Sequence, residues 1–250
     1  MLNNKLRTWL THIYLKLPPK LIETIAFLLA WLMLKTRRFD SQEKLLNFTF
    51  GIPGRIVCLP WQNRQEIAGL LQILTQRKPV SMIEIGSLNG GTLLLFCRTI
   101  SPKAEIISID FPDFVSRFSG YKWYRSALFD AFKLKNQTMH VIEGNSCADS
   151  TLNKVRSILK GRKADFLFID GDHRYEGVKK DFETYGPMVN QNGIIAFHDI
   201  AAHPNKAQYD VNRLWKEIDA GTYDKKEIIQ DPDSVWCGIG LLTEKSPTQQ

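Results

Sequence analysis

From residue 80 onward, apolar runs of five or six residues alternate with longer stretches in which apolar positions recur every three or four residues. The short runs predict strands at Val80 to Ile85, Glu105 to Ile109, Thr138 to Glu143, Asp165 to Ile169 and Ile194 to His198. The longer stretches predict helices at Thr92 to Thr99, Leu152 to Lys160 and Tyr175 to Tyr185, the last closed by Gly186-Pro187. Upstream, Asn63 with Glu66 predicts a capping box for a helix whose apolar face is Ile67, Leu70, Leu71 and Leu74. Nearly continuous apolar strands separated by helices imply a parallel sheet covered on both faces. Two final strands, near Lys226 to Gln230 and Val235 to Thr243, have only the turn Asp231-Pro232-Asp233 between them, so they must pair antiparallel. The expected fold is α/β, a mostly parallel seven-stranded sheet ending in an antiparallel hairpin.

The first fifty residues read differently. A break at Pro18-Pro19 precedes Leu21 to Lys35, a stretch apolar nearly all round, yet shorter than the roughly 20 residues of a comfortable membrane span. No small-residue cleavage site follows it. The division expected is a helical arm at 1–50 and a catalytic domain at 51–250, with Gly51 to Trp61 as an entry loop.

Charge sharpens the contrast. Residues 1–40 hold Lys5, Arg7, Lys16, Lys20, Lys35, Arg37 and Arg38 against Glu23 and Asp40, so most of the chain's net +7 lies there. A nucleic-acid binder is basic over its working surface, so no nucleic-acid partner is expected. Two readings of the arm stand: packing on the domain or on a second copy of the chain, or lying on a membrane surface. Four scattered cysteines without metal spacing fit a reducing compartment, hence the cytoplasm, peripheral to the inner face of a membrane in the second reading.

The first predicted strand runs into Glu84-Ile85-Gly86-Ser87-Leu88-Asn89-Gly90-Gly91-Thr92. In an open α/β sheet the ligand sits beyond the carboxyl ends of the strands, where this loop lies. Leu88 takes the place of the second glycine of a dinucleotide loop, the one that admits a pyrophosphate. S-adenosylmethionine has no pyrophosphate and needs no such glycine. Glu84, Gly86, Ser87, Gly90, Gly91 and Thr92 are therefore candidate cofactor residues. Asp110, 24 residues after Gly86, offers acceptors for two ribose hydroxyls. Asn145 and Ser146, after the third strand, are placed for the adenine ring. A bare glycine turn or a lone helix-capping Asp would be ordinary; their placement at successive strand ends is what points to a cofactor.

The most specific run is Phe166 to Val178, containing Ile169-Asp170-Gly171-Asp172-His173 and Tyr175-Glu176-Gly177, followed by Phe197-His198-Asp199. It resembles the small-molecule O-methyltransferases that include the sugar and cephalosporin-hydroxylase-like groups, and more distantly catechol O-methyltransferase. The resemblance spans about Ile83 to Leu242. It implies a Rossmann-like class I S-adenosylmethionine-dependent methyltransferase acting on a small-molecule hydroxyl. Gln191-Asn192-Gly193 replaces the family's usual Pro-Gly-Gly, a change in a turn.

Asp170, His198 and Asp199 end adjacent strands and can hold a divalent cation such as magnesium, and the matching positions are ligands in metal-dependent relatives. Imidazole is a poor magnesium ligand. In the metal-free alternative His173 is the general base, oriented by Asp170 or Asp199; its bland counterpart is a loop histidine beside a capping Asp172. His140 and His203 show no partner pattern and read as strand or surface residues. Phe111 to Phe132, rich in aromatics, reads either as part of a substrate lid or as helix packing. Two competing functions remain: a nicotinamide-dependent oxidoreductase, disfavoured by Leu88 and the hairpin, and a non-catalytic membrane adaptor, disfavoured by the strand-end acids.

Overall fold

The computed structural model describes residues 18–111, 123–231 and 236–245. Helices α1 (Pro19–Thr36), α2 (Gln42–Phe50), α3 (Gly54–Val57) and α4 (Arg64–Arg77) precede the sheet. The rest alternates: β1 (Ser81–Ile85), α5 (Gly91–Thr99), β2 (Glu105–Asp110), α6 (Arg125–Phe132), β3 (Thr138–Glu143), α7 (Asp149–Leu159), β4 (Ala164–Ile169), α8 (Tyr175–Tyr185), β5 (Val189–His198), α9 (Val211–Glu217), β6 (Tyr223–Ile228) and β7 (Ile239–Glu244). The seven strands run in the order β3-β2-β1-β4-β5-β7-β6. The first five are parallel, and β7 pairs antiparallel with both β5 and β6.

The period of two along each strand divides the core between the faces. Met82, Ile106, Phe166, Phe168, Ile194 and Ala196 pack on one side with α1, α2, α4 and α5. Ile83, Ile107, Leu167, Ile195 and Phe197 pack on the other with α7, α8 and α9. Ala26, Phe27, Ala30 and Leu34 of α1 share a continuous core with the sheet.

Boundaries shift where polar chemistry intervenes. The Asp165 carboxylate accepts from the Val80 and Ser81 N–H groups at 2.8 and 3.1 Å, which fixes the entry to β1. Gln191-Asn192-Gly193, expected as a turn, lies inside β5 as an irregularity. The register jumps from Ala164↔Val189 to Phe166↔Ile194, and Asn190 donates to Asp165 Oδ1 at 2.7 Å across it. Only half of the capping box forms: Asn63 accepts from the Gln65 and Glu66 N–H groups. The Glu66 carboxylate instead accepts from the Gln230 and Gly238 N–H groups, 3.1 and 2.9 Å away, between β6 and β7. Cys237 and Gly238, at φ +66° and +85°, delay β7 to Ile239. Helix α2 continues the helical arm, while α3 and α9 lie where the sequence pattern predicts no helix. The turn Asp231-Pro232-Asp233 falls partly, and Phe114, Phe118 and Tyr121 wholly, outside the described residues.

Candidate active site

The parallel strands bring the tips of β1, β2, β4 and β5 to one edge of the sheet. Gly86 N–H bonds to Ile109 O and Asp170 N–H to Ile85 O, each at 2.9 Å, so the tips of β1, β2 and β4 are stitched together. Gly86 has φ +90°, and a Cβ there would stand 2.0 Å from Asp170 O. The turn therefore lies directly against the end of β4. Gly90, φ +81°, is closed in by the Phe129 and Phe132 rings, 2.4 and 2.6 Å from where a Cβ would be. Gly91 and Thr92 open α5 and are buried. Leu88 adopts φ +45° where a dinucleotide loop has glycine.

Beneath this turn Glu84 is wholly buried, and neither carboxylate oxygen is in full hydrogen-bonding geometry. Burial pushes its carboxyl up to about 8, against the pull of the Thr92 hydroxyl. Ser87 is buried and accepts from the Ser108 hydroxyl at 2.8 Å. Asp110 also lies here, but its Oδ2 accepts from Arg125 at 2.9 Å and its Oδ1 from the Phe111 N–H. Burial raises the Asp110 carboxyl to about 6, with Arg125 opposing. The same guanidinium donates to Leu88 O at 3.1 Å, contacts Glu143 at 3.5 Å and lies 4.4 Å over the Phe129 ring. Arg125 thus spans the crevice between the β1 turn and the tips of β2 and β3. On its far side, Asn145 folds its carbonyl onto the Cys147 N–H at 2.9 Å, and Ser146 O accepts from the Tyr185 hydroxyl at 2.6 Å.

Across the β4 and β5 tips four expected residues meet. Asp199 Oδ2 lies 2.6 Å from His173 Nδ1, and Asp170 Oδ1 lies 3.4 Å from His173 Nε2 and 2.9 Å from His198 Nδ1. Gln62 donates to Asp170 Oδ2 at 2.5 Å. Burial works to raise the Asp199 carboxyl, but the His173 hydrogen bond and both histidine charges outweigh it and hold it well below the usual range. Burial works to lower both imidazoles; Asp199 and Asp170 outweigh it at His173, and Asp170 and the Cys237 thiol lift His198 well above its ordinary value. Asp172 turns away, bonding the Arg174 N–H at 3.0 Å before α8.

A nitrogen of His198, an oxygen of Asp199 and the Cys237 sulfur all lie within 4.8 Å of one another, the one such grouping among the described residues. His198 is 5% exposed, with neither ring nitrogen in hydrogen-bonding geometry. An imidazole and a thiol are a mismatched set for magnesium, which takes oxygen ligands, and suit a borderline ion such as zinc or ferrous iron. Magnesium does not fit the site as built.

Cys237, Gln62 and Arg125 escape sequence reasoning because each arrives from a distant segment. His203, expected at the surface, is 9% exposed and walls the site beside Tyr209 and Trp236, with ring centroids 4.3 and 4.0 Å away. Its neighbour Tyr209 stands 5.6 Å from His173. His140 lies on β3, 3.4 Å from Glu105. A cavity of 440 Å³ lined by Phe39, Gln42, Gln72 and Arg98 includes none of the expected site residues.

Comparison with known proteins bears on the fold. Residues 83–200 match the family model of a methyltransferase domain. An uncharacterised protein of Acanthamoeba polyphaga mimivirus is 28% identical over 158 residues, which span 62% of this chain and 68% of that one. An O-methyltransferase from Bacillus cereus, solved in complex with SAH, superposes with a TM-score of 0.54 at 13% identity, over 84% of this chain and 93% of that one. A Staphylococcus aureus protein proposed to be a caffeoyl-CoA O-methyltransferase gives 0.57 at 19% identity, over 82% and 93%. At such identities these structures speak for the fold. Residues 83–200, just under half of the chain, thus resemble the methyltransferase-domain family, and the fold is the Rossmann-like one shared with these structures.

Proposed function

We propose that the chain transfers a methyl group from S-adenosylmethionine to a hydroxyl oxygen of a small molecule, a sugar or natural product. The observation that carries this reading is the gathering of Asp170, His173, His198 and Asp199 beside the glycine turn of β1. The turn fits a cofactor without pyrophosphate: Leu88 stands where a dinucleotide needs glycine, and the buried Glu84 oxygens lie beneath it. Bound there, S-adenosylmethionine would supply an electrophilic methyl carbon and a thioether leaving group.

Gly86, Ser87, Gly90, Gly91 and Thr92 shape the turn that would hold it. Asp110, beside Arg125, would accept from the ribose hydroxyls. Asn145 and Ser146 would border the adenine. His173, held by Asp199, receives the proton of the acceptor hydroxyl. Asp170 holds His198 and Gln62 in place. A borderline divalent ion on His198, Asp199 and Cys237, with Asp170 orienting His198, would supply Lewis acidity to the acceptor hydroxyl.

The test is transfer of labelled methyl from S-adenosylmethionine to a panel of catechols and glycosides. His173→Gln is expected to lower kcat at least about 100-fold while binding of SAH is kept. Retained turnover in that variant removes the proposed base. Activity that survives exhaustive chelation removes the ion while leaving methyl transfer intact.

A further inference from the structure

Helix α1 carries two opposed apolar faces. One, with Ala26, Phe27, Ala30 and Leu34, is buried in the domain. The other presents Leu21, Ile25, Leu28, Leu29 and Leu32, each 42 to 54% exposed, with Trp31 at its edge. The spacing of these residues makes a single stripe along the whole helix. Its hydroxyls are satisfied within the helix: those of Thr24 and Thr36 donate back to Lys20 O and Leu32 O, at 2.8 and 2.7 Å. Glu23, the one acid of the helix, accepts from the buried Tyr124 hydroxyl at 3.0 Å. Trp123, 66% exposed, packs edge-on against Phe27 with ring centroids 5.3 Å apart, extending the apolar surface past the helix.

Cations stand at both ends of this stripe, Lys20 at the start and Arg37 and Arg38 at the end, all exposed, while Lys35 beside them is paired with Asp130 at 3.0 Å. That arrangement decides what covers the stripe. Two copies laid face to face, parallel or antiparallel, would set cations against cations at both ends. An anionic bilayer instead receives the leucines among its acyl chains, the tryptophans at the headgroup level and the cations on its phosphates. Crossing the bilayer is a different matter: no described helix is long and apolar enough for it.

We infer that α1 is an in-plane membrane anchor that docks the enzyme on an anionic lipid surface through Leu21, Ile25, Leu28, Leu29, Leu32 and Trp31. The inference is independent of the methyl-transfer reading, since none of these six residues belongs to the candidate active site.

Flotation of the full chain with phosphatidylcholine vesicles, with and without phosphatidylglycerol, tests it. The chain is expected to float with the anionic vesicles, to be released by salt, and to show a blue-shifted tryptophan emission. Leu28→Glu combined with Leu32→Glu should weaken binding at least about tenfold. Arg37→Gln combined with Arg38→Gln should weaken it about fivefold per charge, for anionic vesicles only. An unchanged circular dichroism spectrum and SAH affinity will show that these variants fold. Absence of flotation, or flotation equal in wild type and the leucine variant, overturns the proposal. So does a stable dimer in light scattering that the leucine variant converts to monomer, because a second copy then covers the face.

Discussion

Arg125 and Asp110 form an ion pair with side chains only 5% and 7% exposed, at the point where a ribose is expected. Breaking such a pair leaves an uncompensated buried charge, so Arg125→Met is predicted to cost about 3 kcal/mol in urea unfolding. Adding Asp110→Asn should recover most of the loss. If the double variant is as unstable as the single one, the guanidinium acts through packing on Phe129 rather than through the carboxylate. Glu84 gives a pH signature of its own. Its carboxyl is raised to about 8 in the fold, so the native chain keeps a proton that the unfolded chain releases above 4.5. Its contribution to stability therefore falls as pH rises through that window and levels off near 8. Glu84→Gln is predicted to melt increasingly above wild type between pH 5 and about 8, by the equivalent of a few kcal/mol at the upper end. Parallel melting curves across that range would contradict the burial argument.

Among the elements, legibility followed how locally each is determined. Strands β1 to β4 and helix α8 could be read nearly to the residue, because continuous apolar runs and a 3.6-residue face are local patterns. The β5 entry could not, since Asn190 is held there by Asp165 across the sheet. Nor could β6, whose edge-strand pattern of half-buried and exposed positions is weak. The site divides in the same way. Asp170, His173, His198 and Asp199 sit at strand ends that the pattern locates, and the structure brings them together. Cys237 depends on the register of β7 against β5, in which Ile239 pairs with His198, and no local pattern sets that register. Glu66 shows the cost of reading locally: its carboxylate ties α4 to the segment that carries Cys237. Asn63→Ala should lose about 1 kcal/mol, as an ordinary cap does. Glu66→Ala should lose more, about 1–3 kcal/mol, because two N–H groups lose their acceptor. It should also speed amide exchange at Gly238; exchange changed only within α4 would show that the tie is not structural.

At the scale of the molecule, two surfaces divide the work. The sheet edge gathers the chemistry, and α1 faces outward with its apolar stripe, buttressing through Phe27 and Tyr124 the helix that carries Arg125. The central claim is that the crevice between the tips of β1 and β2 holds an adenosyl cofactor. Isothermal titration of the full chain with SAH tests it most directly, with NADH as the comparison. The prediction is a single site for SAH, weakened about tenfold or more when Asp110→Asn removes half of the ribose acceptor, and no comparable heat with NADH. A folded chain that gives no heat with SAH, or that prefers NADH, would contradict it.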